Sequence, residues 1–214
     1  MMMYNLMLAH FGPQHWWPGE TEIEIIVGAI LTQNTNWKNV EKAIKRLKEK
    51  NLLSIKALHS LGTQDLAEVI RPAGYYNVKA KRLKNLIRFI VGRYRGDLHA
   101  LLNEDTEKLR QGLLSVGGVG EETADSILLY AAARPVFVID AYTFRILSRH
   151  GMVAEQSSYS ELQSFFMDHL PEDRELYGEF HALIVRTGKE FCLSRAPRCQ
   201  VCPLKEWGGT APSL

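Results

Sequence analysis

Apolar residues in this chain recur at every third and fourth position, segment after segment, and at every second position almost nowhere. That spacing lines one face of a helix and gives a strand no inward face. Thr21 to Gln33 puts Ile23, Ile26, Val27, Ile30 and Leu31 on one side. Lys79 to Arg95 repeats the pattern with Leu83, Leu86, Ile87, Ile90, Val91 and Tyr94, while Lys81, Arg82, Lys84, Arg88, Arg93 and Arg95 fall opposite. Glu121 to Ala132 follows with Ala124, Ile127, Leu128 and Ala131. Further helices are expected over Ala141 to Arg149, Ser157 to Leu170 and Arg174 to Phe191, with Ser157 or Ser158 as an N-cap. Turn signals separate them at Leu61-Gly62-Thr63, Arg71-Pro72-Ala73-Gly74 and Ala133-Arg134-Pro135. Val136 to Ile139 is a short apolar approach to Asp140 rather than a strand of any length. The pattern predicts an all-α protein.

The 214 residues suffice for one large domain or two small ones sharing a cleft. No run of about 18 apolar residues occurs, so no transmembrane helix and no membrane partner is expected. The first ten residues have neither a basic start nor a small-residue cleavage site, which points to a cytoplasmic protein. A formal net charge of +2 does not by itself single out nucleic acid, so local features must carry that case.

The local feature is Leu114-Ser115-Val116-Gly117-Gly118-Val119-Gly120-Glu121-Glu122-Thr123-Ala124, a glycine turn that opens a helix. Glycine lets the backbone turn with positive φ and lets a ligand come close. The helix that follows presents free N–H groups and the positive end of its dipole. Gly118, Gly120 and Thr123 therefore frame an anion seat, for which a phosphate is the natural occupant. Twenty residues past Gly120, just after the apolar run, stands Asp140.

Together the GGVGEETA turn, its helix and the spacing to Asp140 resemble the helix-hairpin-helix, Gly/Pro-rich loop and aspartate signature of the endonuclease III superfamily of DNA glycosylases. The resemblance extends over nearly the whole chain. It implies two helical domains with a DNA-holding cleft between them: a central barrel over about 21–133, and a second domain from 1–20 and 134–214. It also implies a base-excision enzyme acting, as a monomer, on double-stranded DNA that contains a damaged base.

Within that resemblance Asp140 is the catalytic candidate. Breaking the N-glycosidic bond of a flipped nucleotide gives the sugar oxocarbenium character, which a carboxylate stabilises while orienting a water. The plain alternative is an N-cap for the helix Ala141 to Arg149, and both roles are compatible. Bifunctional members of the family carry a lysine in the first turn after the glycine loop, an amine nucleophile that also cuts the strand. This chain has Glu122 there, and a carboxylate forms no Schiff base. A monofunctional glycosylase is expected. Glu122 either meets the base or complements the helix dipole as a first-turn acid.

Trp16-Trp17-Pro18-Gly19, Leu31-Thr32-Gln33-Asn34-Thr35-Asn36-Trp37 and Arg71-Pro72-Ala73-Gly74-Tyr75-Tyr76-Asn77-Val78-Lys79-Ala80-Lys81 are similar to the bacterial 3-methyladenine glycosylase branch, which also has Glu at the lysine position. A ring-alkylated purine is cationic, and electron-rich rings hold it by stacking and cation–π attraction worth about 0.5 to 2 kcal/mol. The resemblance makes Trp16 and Trp37 the sandwich candidates; the alternative is that either is a core residue. Gln33, with Asn34, lies in the loop that in the family fills the gap left by the flipped base. Lys79, Lys81 and Arg82 are phosphate-contact candidates, or else a solvated helix face. One departure is Leu183, near which the branch places a lysine.

Cys192, Cys199 and Cys202 match the first three ligands of the family's [4Fe–4S] loop. The fourth position is Gly208, and beyond Pro203 only Glu206 offers a carboxylate. A cluster with an abnormal fourth site, a lost cluster leaving thiols, and a metal such as zinc all stay open. Two other functions fit parts of the same pattern. One is a bifunctional glycosylase/lyase for oxidised pyrimidines using another amine such as Lys79. The other is a non-catalytic DNA-binding module.

Overall fold

The structure, a computed structural model, describes residues 1–16 and 19–207. Among these the chain is helical with no strand. In order come α1 (Met2–Phe11), α2 (Glu22–Leu31), α3 (Trp37–Glu49), α4 (Ile55–Ser60), α5 (Thr63–Val69), α6 (Tyr76–Tyr94), α7 (Leu98–Leu102), α8 (Thr106–Leu114), α9 (Glu121–Ser126), α10 (Ala141–Arg149), α11 (Tyr159–Met167) and α12 (Arg174–Glu190). Most starts are written locally: Thr21, Asn36, Ser54, Asp97, Asp105, Asp140, Ser158 and Asp173 each accept a first-turn N–H through the side chain. Ser158 and Glu161 complete a reciprocal capping box.

The chain divides into two compact units, Trp17–Arg134 and a second made of Met1–Trp16 with Pro135–Leu214. In the inner unit Ile26, Val27, Ile30 and Leu31 of α2 and Leu83, Leu86, Ile87 and Ile90 of α6 are fully buried. Two lysines join them. Lys84, read from sequence as part of a charged outer face, is 5% exposed and donates to the carbonyls of Leu58, His59 and Leu61 at 2.6–2.9 Å. It satisfies carbonyls at the end of α4 that have no partner within that helix. α6 begins at Tyr76, three residues before the sequence expectation, behind Tyr75 in the left-handed region at φ 46°. α9 runs directly into a π-helical turn, Ile127–Ala131, which periodicity alone does not reveal.

In the terminal unit α12 packs on α1 and α10. Phe137 stacks on Phe166 at 4.0 Å and meets the edge of Phe180. Gly188 sets the approach of α10: a Cβ there would lie 2.3 Å from the Tyr142 ring. Val136 to Ile139 has no regular secondary structure and is buried, delivering Asp140 to the start of α10.

Candidate active site

The glycine turn lies between α8 and α9 as a helical hairpin. Arg110 of α8 grips the fully buried Asp125 of α9 with two hydrogen bonds, Nε to Oδ1 at 2.7 Å and an Nη to Oδ2 at 3.1 Å. This fork-to-fork pair fixes both the distance and the angle of the hairpin. The sequence did not single it out, because two charges fifteen apart carry no periodic signal. Gly118 has φ 101°, and a Cβ there would lie 2.2 Å from Arg82 Cγ. The turn thus needs glycine twice over, for its backbone and for the arginine packed across it. α9 starts behind Gly120, which has no side chain to cap the helix.

Three side chains expected to reach DNA are occupied in the structure. Gln33 donates through Nε2 to the Gly118 carbonyl and to the Thr123 hydroxyl, both at 3.0 Å, and its Oε1 accepts from Arg82 at 2.5 Å. The amide therefore locks the glycine turn, and Thr123 is buried beneath it. Asn85 adds a hydrogen bond to the Gly117 carbonyl at 2.9 Å. Lys79 corrects the expectation of a phosphate contact. It is 1% exposed and its ammonium donates to the carbonyls of Leu31 and Ala73 at 2.7 and 2.8 Å. Burial, with the Arg82 charge second, brings its pKa down to about 8. An amine so lowered would suit a nucleophile, but this one is sealed inside the unit. Lys81 is exposed, and so is Glu122 in the first turn of α9.

In the terminal unit Asp140 is the N-cap of α10. Its Oδ1 accepts the backbone N–H of Thr143 at 2.7 Å and the Thr143 hydroxyl at 2.8 Å. Its Oδ2 lies 3.7 Å from Nε2 of His181 on α12, and the side chain is only 9% exposed. Burial pushes this carboxyl upward, but His181 and the Thr143 donors outweigh it and hold it below the usual carboxylate range. The result is an ionised carboxylate with one oxygen fully committed and the other turned to a histidine. The sequence showed no pattern marking His181. Its ring is also 5.5 Å from that of Trp16, tilted by 38°. Trp16 is half-buried. Trp37, half-buried in the inner unit, covers Gly28 of α2. Trp17, Pro18 and Gly208 lie outside the described residues.

The cysteine loop is held from α10. Arg145 donates to the Cys192 carbonyl at 2.7 Å and the Gly188 carbonyl at 3.3 Å. Arg149 reaches the Leu193 and Ser194 carbonyls at 2.6 and 3.0 Å and the Cys192 sulfur at 3.3 Å. His150 Nδ1 meets the Trp207 carbonyl at 2.6 Å. Cys192 and Cys202 are buried and Cys199 is exposed. Burial pushes the Cys202 thiol up, against the Leu204 N–H that points at its sulfur. Among the described residues no group of three or more His, Cys, Asp or Glu side chains is arranged to hold a metal. The chain has three cysteines where a [4Fe–4S] cluster takes four thiolates, and position 208 has no side chain. This donor set does not fit a four-thiolate cluster.

The described residues thus join a glycine-turn hairpin and a helix-capping aspartate on a helical frame, and comparison with known proteins gives the family to which these features belong. The model of the HhH-GPD superfamily of base excision DNA repair proteins matches residues 27–172. A Methanocaldococcus jannaschii protein with a provisional DNA repair glycosylase name is 52% identical over 206 residues, covering 96% of this chain and 93% of its own. Endonuclease III of Thermotoga maritima is 30% identical, covering 85% of this chain and 79% of its own. Among solved structures, the H. pylori 3-methyladenine DNA glycosylase bound to 1,N6-ethenoadenine is 33% identical with a TM-score of 0.77, over 88% of this chain and 94% of that one. The chain belongs to the HhH-GPD superfamily of base excision DNA repair proteins, as a DNA glycosylase of the helix-hairpin-helix type. No helix among the described residues is long and apolar enough to cross a membrane.

Proposed function

We propose that the protein is a monofunctional glycosylase that hydrolyses the N-glycosidic bond of a flipped, alkylated purine such as 3-methyladenine in double-stranded DNA. The observation that carries this reading is the state of Asp140: an ionised carboxylate whose Oδ1 is committed to Thr143, leaving Oδ2 for the chemistry. As the glycosidic bond lengthens, the sugar gains positive charge. A fixed carboxylate in a poorly solvated position stabilises that charge without reorganising. The same group orients the water that adds to the sugar carbon, and a cationic base leaves as a neutral one without needing a general acid.

The substrate class rests on Trp16 and Trp37, each an electron-rich face for a cationic ring, and on the likeness to the H. pylori enzyme. The absence of strand cleavage rests on Glu122 standing where a nucleophilic lysine would be needed, and on the burial of Lys79. The glycine turn and Lys81 would meet backbone phosphates, with the protein acting as a monomer in the cytoplasm. Any metal would rest on Cys192, Cys199 and Cys202 alone and takes no part in these steps.

The test is base release from duplexes carrying 3-methyladenine or an oxidised pyrimidine, with strand integrity read before and after alkali. The reading expects release of the alkylated purine and an abasic strand left whole until alkali is added. Preferential release of the oxidised pyrimidine, or strand cutting without alkali, would replace it with the lyase reading.

A further inference from the structure

We infer that His181 is the positioning residue of this site, with one imidazole both orienting the Asp140 carboxylate and bracing the Trp16 ring. The inference rests on the proposed role of Asp140. Among the described residues Thr143 supplies the hydrogen bonds to this carboxylate, both to Oδ1, which anchors it at that oxygen. Rotation of the carboxylate plane about that anchor would swing Oδ2. His181 Nε2, 3.7 Å from Oδ2, is the group that faces it. At that distance the imidazole acts on the carboxylate as a polar neighbour that sets its orientation rather than through a close hydrogen bond.

The fold shows why a histidine on α12 arrives there. His181 and Gly188 are seven residues apart, two turns along one face of the helix. Tyr142 of α10 packs against Gly188, and Arg145 of α10 secures the same seam through the Gly188 carbonyl. The seam that fixes the two helices therefore carries His181 to the first turn of α10, where Asp140 sits. Beside the pair, burial and the Asp140 charge push the Tyr142 hydroxyl up, and the Arg145 guanidinium lies 5.0 Å over the Tyr142 ring. From the segment after α1 comes Trp16, tilted against the His181 ring. His181 is 5% exposed. One side chain so placed couples the surface that stacks on the base to the group that serves the sugar.

The test compares His181→Asn, which keeps a polar donor, with His181→Phe, which keeps a ring against Trp16 but loses the donor. Single-turnover excision is followed against pH, with melting temperature and affinity for an abasic-site duplex measured alongside. The Phe variant should excise about tenfold or more slowly at neutral pH with unchanged duplex affinity. The acid limb of its profile should move to higher pH, since burial then acts on Asp140 with one less partner to oppose it. The Asn variant should recover a large part of the rate. Should the Phe variant fail to fold, His181→Ala is read with imidazole or benzene added, and imidazole alone should restore the rate. A wild-type rate and profile in the Phe variant would overturn the inference. So would equal losses in the Asn and Phe variants with the acid limb unmoved, or equal rescue by benzene. Asp140→Asn run in parallel separates the two claims. If that variant keeps its activity, the reading of Asp140 falls; if it is inactive while His181→Phe is unaffected, only the role of His181 falls.

Discussion

Asp140 and Thr143 share two hydrogen bonds, the Thr143 backbone N–H and hydroxyl both donating to Oδ1 of Asp140, at 2.7 and 2.8 Å. The aspartate is thus both the start of α10 and the ionised group on which the proposed chemistry depends. A cap of this kind is worth about 0.5 to 2 kcal/mol, and asparagine serves it about as well as aspartate. Stability and catalysis can therefore be separated at this one position.

Gly118→Ala should destabilise the hairpin and weaken DNA binding. The new methyl meets Arg82 Cγ at 2.2 Å on a backbone already at φ 101°. The arginine has to leave, and its hydrogen bond to Gln33 goes with it. A loss of about 1 to 3 kcal/mol is expected from the overpacking. Gly120→Ala is the control, since a Cβ there meets nothing within 4 Å. Denaturant melts and duplex affinity of the two variants check this; equal behaviour would contradict the packing of Arg82 across the turn.

The all-α class, the helix that Asp140 starts and the glycine turn were legible because each is local: a 3.6-residue period, a capping side chain, a run of glycines. What was not legible depends on partners far apart in the chain. Lys79 and Lys84 fall on the polar face of α6 by periodicity, yet both ammoniums are drawn inward by carbonyls at the ends of α2 and α4 and at the turn around Ala73. Gln33 looked free to meet a base, but the carbonyl it holds lies 85 residues away. His181 sits in an ordinary helical pattern, and its role rests on α12 meeting α10 at Gly188.

Lyase chemistry should be absent. Borohydride added during turnover should trap no covalent protein–DNA complex, because Glu122 is no amine and Lys79, although lowered to about 8, is sealed against the Leu31 and Ala73 carbonyls. Gel mobility after reduction checks this. Efficient trapping that disappears in Lys79→Met would show that the inner unit opens to expose that amine.

Substitutions at the two tryptophans should differ. Trp16→Ala should slow excision of a cationic purine more than of a neutral lesion, and Trp16→Phe should keep part of the rate, since a weaker stacking face remains. Trp37→Ala should do the same and also lower stability, because the ring covers Gly28. The cost should fall below the roughly 3 to 5 kcal/mol of a fully buried tryptophan. Melting temperature measured with excision of two lesions decides; losses equal on both lesions would make the rings structural.

The loop that carries the cysteines should hold without metal. Arg149→Met removes its contacts to Cys192 Sγ and to the Leu193 and Ser194 carbonyls. A loss of about 2 kcal/mol corresponds to a melting temperature lower by roughly 4 to 8 °C in a chain of this size. A chelator should leave the wild-type melting temperature unchanged. A visible absorption band near 400 nm with stoichiometric iron, or a melt that collapses on chelation, would show instead that three thiolates hold a cluster.

The most direct test is single-turnover release of 3-methyladenine from duplex DNA by Asp140→Asn. Asparagine keeps an acceptor for the Thr143 N–H, so the melting temperature and duplex affinity should stay near wild type. The rate should nonetheless fall by about 10² or more, as expected when a transition-state charge partner is removed. A well-folded Asp140→Asn variant that excises at close to the wild-type rate would contradict the account.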